Sequence, residues 1–408
     1  MSAMLHRRIG PLLSALAAVL AALPAPVCAE FSVPGFELVH NAPAETTLAT
    51  PDLREPVAVW TEMIARARHD IAIEQFYVTG EPGEALDPVM EALEAAGRRG
   101  VRIRFLMEKK GEAMSDPATI DRLKRIPNLE FRTLAWGDVA GAGIIHAKVF
   151  VIDGREGYVG SQNFDWRALS QIDETGLRIT DRSIARRLQA IFEQDWRAQA
   201  RIAAGETAPP VRAETYVPPR RRAMLVASPN AYNPPGVGDS QSALVSLIGA
   251  AEREIVAEVM QYSTTAFGGG DYRVIDDALR AAAARGVKVR LLIADWALTE
   301  RRLPGLLALS AAPGVEIRVA TIPQLSSGEI PYARVVHTKV MTIDDAIAWV
   351  GTSNWEGGYL DTSRNVEVVL RDAVMAKRLR ALQEQLWTSA YAASLEEACS
   401  RLAVPAGD

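Results

Sequence analysis

Cysteine is almost missing from this chain, which has only Cys28 and Cys399 among 408 residues. That scarcity excludes a disulfide-stapled scaffold and any cysteine-based zinc site. Histidine is also sparse, five in all, and the acidic residues do not follow a calcium-loop pattern, so no metal centre is expected. No nucleotide cofactor is expected either. Gly268-Gly269-Gly270 reads as a turn and Asn233-Pro234-Pro235-Gly236 as a loop, and neither joins a strand to a helix as a phosphate loop does. The apolar stretch at 9–23 falls short of the roughly 20 residues that a spanning helix needs.

What precedes and follows that stretch suggests export. His6, Arg7 and Arg8 form a positive start, and Val27-Cys28-Ala29 supplies small residues for cleavage before Glu30, so residues 1–29 read as a secretory signal. Cys28 fits a lipoprotein signal poorly, because Pro26 and Val27 precede it. Loss of Arg7 and Arg8 takes the net charge of −5 to −7. An acidic surface disfavours indiscriminate electrostatic binding to duplex nucleic acid or anionic membranes. The run Arg220-Arg221-Arg222, next to Pro218-Pro219, reads as solvated linker. With 49% hydrophobic and 23% charged residues, the chain can build two ordinary domains with sizeable cores. An alanine-rich composition with arginine over lysine suggests a bacterial source, for which export means the periplasm or secretion.

One polar cluster occurs twice. His146-Ala147-Lys148 with Asp153, and His337-Thr338-Lys339 with Asp344, both follow H-x-K-x4-D, and each is followed after six residues by a glycine-hydroxyl-x-asparagine element, Gly160-Ser161-Gln162-Asn163 and Gly351-Thr352-Ser353-Asn354. Such a pair suits phosphodiester exchange. A phosphodiester repels nucleophiles, so its non-bridging oxygens need positive charge and hydrogen-bond donors, which Lys148, Lys339, Asn163 and Asn354 can supply. Two histidines, with ordinary pKa values near about 6.5, can divide the roles of nucleophile and general acid. A bell-shaped pH profile is then expected, and the reaction needs no metal.

At these residues the chain resembles the phospholipase D superfamily, the HxKxxxxD phosphodiesterases. The resemblance implies that His146 attacks to form a phosphohistidine and that His337 serves as acid and then base. It makes Lys148, Lys339, Asn163 and Asn354 phosphate ligands, and gives Asp153 and Asp344 the role of holding the motif loop. Glu174 and Glu367 match the acidic residue that orients the histidine, with Ile172-Asp173-Glu174 set against Asn365-Val366-Glu367. The segments Phe164 to Gln171 and Ile330 to Val335, with Ser353-Asn354-Trp355 and Gly358-Tyr359, are similar to the animal lysosomal phospholipase D-like proteins, a branch of 5′ exonucleases on single-stranded nucleic acid to which lipid activity is also attributed. This chain departs from that branch in its lack of cysteine and in a leader that reads as cleavable.

The duplication extends beyond the motifs. Ile71 to Tyr77 matches Ile255 to Tyr262, and Arg99 to Leu106 matches Arg285 to Leu292. Each half is expected to run helix (57–67, 241–252), strand, a helix ending at Gly100 or Gly286, strand, helix, strand (129–134, 315–320), catalytic segment, and a closing helix (183–198, 373–390). Alternation implies mainly parallel pairing, with an antiparallel hairpin between the catalytic segment and Tyr158-Val159-Gly160. His146 and Lys148, two apart on a strand, point to one face. The expected fold is an internally duplicated α/β phospholipase D-like fold: two mixed sheets flanked by helices, packed about a pseudo-twofold with one shared active site. The expected division is 30–202, a linker at 203–222, and 223–408. A monomer suffices to complete the site, and a dimer is compatible with it.

The remaining candidates have plainer readings. His40 and His69 are expected in a loop or at a helix end. Glu74 and Glu258, at matching strand positions, line the cleft or face a helix. Trp166, Trp355 and Tyr359 are core residues by default, with stacking on a base or covering a lipid headgroup as the sharper alternative. Two substrate classes share these catalytic residues: single-stranded nucleic acid, which is favoured, and glycerophospholipid, with hydrolysis or cardiolipin-type transfer and transient membrane contact. A non-catalytic binding protein is disfavoured by the two intact motifs.

Overall fold

The structure, a computed structural model, describes residues 30–216, 220–266 and 268–403. The expected leader at 1–29 lies outside them. Among the described residues no helix is long and apolar enough to cross a membrane.

Two large sheets carry the chain. The first orders its strands Ser32–Val33, Phe36–Asn41, Glu174–Ile179, Glu156–Gly160, Val149–Ile152, Asp70–Gln75, Arg102–Glu108 and Leu129–Leu134. The second runs Gly238–Asp239, Ala223–Ser228, Asn365–Arg371, Ile347–Gly351, Lys339–Ile343, Glu254–Val259, Lys288–Ala294, Val315–Ala320 and Ala392–Ser394. From Phe36–Asn41 onward in one, and Ala223–Ser228 in the other, the orders correspond strand for strand through Leu129–Leu134 and Val315–Ala320. The mixed, duplicated α/β architecture expected from the repeat is present.

Parallel pairing is less extensive than the alternation implied. It joins Asp70–Gln75 to Arg102–Glu108 and on to Leu129–Leu134, with the same arrangement in the second half. The catalytic strands pair antiparallel on both sides, as do their outer neighbours. Helices Asp87–Arg98 and Pro117–Lys124 cross over between the parallel strands of the first half, whereas each catalytic strand joins its outer neighbour through a tight turn, at 153–155 and 344–346, which forces antiparallel pairing. The hairpin of Val149–Ile152 with Glu156–Gly160 forms in the register Val149 to Val159.

Both closing helices start the same way. Asp181 accepts from the amides of Ser183 and Ile184 to open Arg182–Ala203, and Asp372 does so from Val374 and Met375 to open Ala373–Trp387. Each half has its own apolar core outside this region. A further core draws Val159, Leu177 and Leu188 from the first half against Val350, Val366 and Leu379 from the second. Burial shared in this way holds the halves together and sets the two motifs facing one cleft.

Candidate active site

The motif histidines lie ahead of their strands rather than within them, His146 three residues before Val149–Ile152 and His337 two before Lys339–Ile343, and each is fastened to the other half. The His146 amide donates to the Arg364 carbonyl at 2.9 Å and the Arg364 amide to the Ile144 carbonyl at 2.8 Å. In mirror fashion, the His337 amide donates to the Asp173 carbonyl at 2.9 Å and the Asp173 amide to the Val335 carbonyl at 3.0 Å. Neither half can build the site alone. Gly143 belongs to the same seam. It has φ of +86°, and a Cβ there would lie 2.6 Å from the Thr362 carbonyl oxygen of the other half.

The two imidazoles have different partners. His337 Nδ1 lies 2.9 and 3.0 Å from the carboxylate oxygens of Glu174. His146 Nδ1 lies 3.0 Å from Asn365 Oδ1. The Asn365 amide is itself oriented, since its Nδ2 donates to the Tyr359 carbonyl at 2.8 Å and its Oδ1 accepts from Thr352 at 2.8 Å. That network assigns the hydrogen of His146 to Nδ1 and leaves the Nε2 lone pair free. His146 also sits between two rings, Phe76 at 5.8 Å and Tyr359 at 4.8 Å between centroids.

Glu367 does not hold a histidine. Its carboxyl meets the hydroxyls of Ser240 and Ser353. The expected pairing of Glu174 with Glu367 is off by two residues: Gly160 faces Gly176 in one sheet while Gly351 faces Glu367 in the other. Glu367 therefore corresponds to Gly176, and Glu174 corresponds to Asn365. A side chain at Gly176 has no room, because its Cβ would lie 2.1 Å from the Tyr158 hydroxyl. The signal was available, because Glu174 and Asn365 stand equally far along the chain from Gly160 and Gly351.

Both lysines are buried, and each bonds the carbonyl of its own motif histidine: Lys148 to His146 at 2.8 Å, and Lys339 to His337. Burial brings Lys339 down to about 7. Burial first, then Lys339, holds Lys148 well below its ordinary range. Burial and the two lysines also hold both imidazoles well below 6.5. Burial pushes the Glu174 and Glu367 carboxyls up to about 8, against the pull of Lys339 on Glu174. Asn163 and Asn354 line the cleft. Each keeps a buried amide oxygen without a hydrogen-bond partner.

Asp153 and Asp344 sit at the hairpin turns, away from the imidazoles. Asp153 has φ of +53° and accepts from the amides of Arg68, His69 and Asp70 at 2.8 to 3.0 Å; Asp344 has φ of +55° and accepts from Glu252, Arg253 and Glu254 at 2.8 to 2.9 Å. A short polar side chain tolerates the left-handed conformation and satisfies the start of the neighbouring strand.

Several side readings change. His40 is not in a loop but is buried on Phe36–Asn41, with Nε2 3.0 Å from Asp173 and Nδ1 2.9 Å from Thr50. Glu74 and Glu258 are buried and do not line the cleft. Burial raises Glu74, as does Asp195, which is ion-paired to Arg364 at 2.7 Å; burial and Asp173 likewise raise Glu258. Trp355 is core, and Trp166 packs against core. Of the three flagged aromatics, Tyr359 lines the cleft. Arg222 pairs with Asp372 at 2.6 Å. Among the described residues no cluster of three or more histidine, cysteine and acidic side chains is arranged to hold a metal ion.

Both histidines open into one cleft of about 570 Å³, whose walls include Phe76, Tyr77, Arg167, Gln261, Trp296 and Tyr332. The lining mixes aromatic and polar side chains with the apolar residues Met114, Ile172, Met260 and Val335. Tyr332, Met114 and Trp296 are 77%, 53% and 40% exposed there, while the exposed aliphatic residues Val211, Val274, Leu307 and Val374 do not line it.

Comparison with known proteins agrees with this geometry. A family model described as cardiolipin synthase, PLD-like domain, matches residues 60–196 and again 244–387. Phospholipase D Z of Dictyostelium discoideum is 30% identical over 81% of this chain and 84% of its own length. The 5'-3' exonuclease PLD4 of Homo sapiens is 28% identical over 88% of this chain and 78% of its own. Among solved structures, phosphatidylserine synthase of Haemophilus influenzae superposes with a TM-score of 0.57 at 12% identity, covering 84% of this chain and 86% of that one. At that identity the likeness concerns the fold.

Proposed function

The chain belongs to the phospholipase D superfamily and is a phosphodiesterase, and from that premise we propose that it acts as a 5′ exonuclease-like enzyme on single-stranded nucleic acid. One observation carries the choice of substrate. The two exposed rings at the cleft mouth, Tyr332 and Trp296, offer faces to bases, whereas the exposed branched aliphatics Val211, Val274, Leu307 and Val374 lie elsewhere, so the entrance suits bases better than paired acyl chains. The exonuclease activity in the names of relatives such as human PLD4 supports this reading. Relatives named phospholipase D, and the cardiolipin synthase description of the family model, support the alternative of phospholipid hydrolysis or phosphatidyl transfer.

The two histidines divide the work by their partners. His146, bonded to a neutral amide and flanked by two rings, stays neutral, and its Nε2 attacks phosphorus. As the nitrogen–phosphorus bond forms, the bond to the leaving oxygen breaks, and His337 delivers its proton to that oxygen. The Glu174 carboxyl, pushed up to about 8 by burial, supplies a proton to Nδ1 of His337 as Nε2 gives up its own, and a diester anion between Lys148 and Lys339 offsets the push of the lysines towards neutrality. Water then attacks the phosphohistidine, His337 takes the water proton, and His146 leaves neutral. Asn163 and Asn354 turn their amides onto the non-bridging oxygens. The leader at 1–29 directs export to the periplasm or beyond.

The test is a time course in chelator of 3′-labelled single-stranded DNA, with His146→Ala in parallel. Stepwise shortening from the 5′ end, lost in the variant, is expected. Intact DNA together with release of headgroup from phospholipid vesicles would transfer the assignment to lipid.

A further inference from the structure

Tyr332 is the most exposed large hydrophobic side chain among the described residues, at 77%, and it stands at the mouth of the catalytic cleft. An aromatic ring left in water gains nothing for folding. The backbone adds a second cost, since φ at Tyr332 is +61°, a conformation in which bulky residues are rare. A conformation of this kind persists only where its surroundings impose it.

They do so here. Two residues on, Arg334 is 2% exposed and also left-handed, with φ of +57°. Its guanidinium donates to the carbonyls of Pro323 and Ala44 at 2.7 Å each, and its amide donates to the Gln171 carbonyl at 3.2 Å. From the opposite wall, Arg167 donates to the Pro331 carbonyl at 3.0 Å and places its guanidinium carbon 5.9 Å from the Tyr332 ring centroid, within cation–π range. The Arg167 guanidinium is held in turn by three bonds to the Asp165 carboxylate at 2.8 to 3.1 Å, and Asp165 accepts from the Tyr77 hydroxyl at 2.8 Å. The ring is thus presented on a fixed loop with support from both halves. The pseudo-twofold does not repeat this device, because Gly358 stands four residues after Asn354 where Arg167 stands four residues after Asn163.

We propose that Tyr332, propped by Arg167, is the stacking platform for one unpaired nucleobase beside the scissile phosphate, and that it gives the cleft its preference for single-stranded nucleic acid. The inference rests on the nucleic-acid reading above. A base in a duplex keeps both faces covered by its neighbours and cannot lie on the ring, whereas an unpaired base can, whatever its identity.

The experiment compares wild type, Tyr332→Ala and Tyr332→Trp on single-stranded oligonucleotides, intact or carrying one abasic site moved stepwise from the 5′ end. Unchanged melting temperatures, expected of so exposed a side chain, establish that the variants fold. Tyr332→Ala should raise KM about 10-fold, the range of one base stacked on an aromatic side chain, with a much smaller effect on kcat; Tyr332→Trp should restore binding. At one abasic position wild type should lose the same factor, and Tyr332→Ala should lose nothing more. Equal KM for wild type and Tyr332→Ala on intact strands, or equal further losses for both at every abasic position, would overturn the stacking role while leaving the exonuclease reading in place. Wild type that leaves the oligonucleotide whole would remove both.

Discussion

The Glu174 carboxylate lies 2.9 Å from Nδ1 of His337, although the two residues come from different halves of the chain. The equivalent position beside His146 carries Asn365 instead. A pseudo-symmetric site is thereby made chemically unsymmetric, with one imidazole against a titratable carboxyl group and the other against an amide. From this difference follow distinct behaviours for the two histidines.

Replacing the carboxylate should impair proton delivery selectively. Glu174→Gln is expected to lower kcat about 100-fold on diesters with a poor leaving group, and far less on a 4-nitrophenyl ester, which departs without a proton. Steady-state rates on the two substrates would decide it. An equal loss on both would remove His337 from the role of acid.

If His146 is the nucleophile, a slowed second step should trap phosphate on it. His337→Ala mixed with an activated diester should accumulate a covalent adduct at His146, detected by intact mass and peptide mapping under alkaline conditions that preserve phosphohistidine. His146→Ala should form none. An adduct on His337 in the His146→Ala protein would reverse the assignment.

Glu367 is raised to about 8 by burial, so it carries a proton at neutral pH. Its folded pKa lies above the ordinary 4.5, so its contribution to stability is fully present below about 4.5 and is lost as pH rises through about 8. Glu367→Gln should therefore melt close to wild type at pH 5 and above it at pH 9. A gap between the two melting temperatures that stays constant over this range would show that Glu367 does not titrate as its surroundings imply.

Asp153 accepts three backbone hydrogen bonds from outside the cleft. Asp153→Ala is expected to cost about 2 kcal/mol of stability, in the range of a lost cap together with strain at a left-handed residue, while the folded fraction keeps kcat within about twofold. Denaturant titration and kinetics at a temperature well below the transition would measure the two effects separately. A large loss of kcat in fully folded protein would place the aspartate in the chemistry.

Much of this was legible in the chain. A motif repeated with its spacing intact marks the duplication, and the strand-helix order carries over because local periodicity and turn residues act within one half. His40 was misplaced because a single histidine on an alternating strand leaves no mark of its partner; Asp173 lies far away in sequence and meets it only across a sheet. The place of Tyr332 and Trp296 at the cleft mouth is not legible in the sequence, because exposure there is a property of the surface, not of the local sequence. Glu367 was paired with Glu174 on residue type, where strand register pairs it with Gly176.

The sequence by itself determined the duplicated α/β fold, the candidate groups at 146, 148, 163, 337, 339 and 354, and the turn role of the two aspartates, because each depends on residue type at short range. Which residue meets which histidine was decided only by tertiary structure. Glu174 reaches His337 and Asn365 reaches His146 because the backbone of each half bonds to the motif of the other, and contacts across that seam leave no periodic trace along the chain.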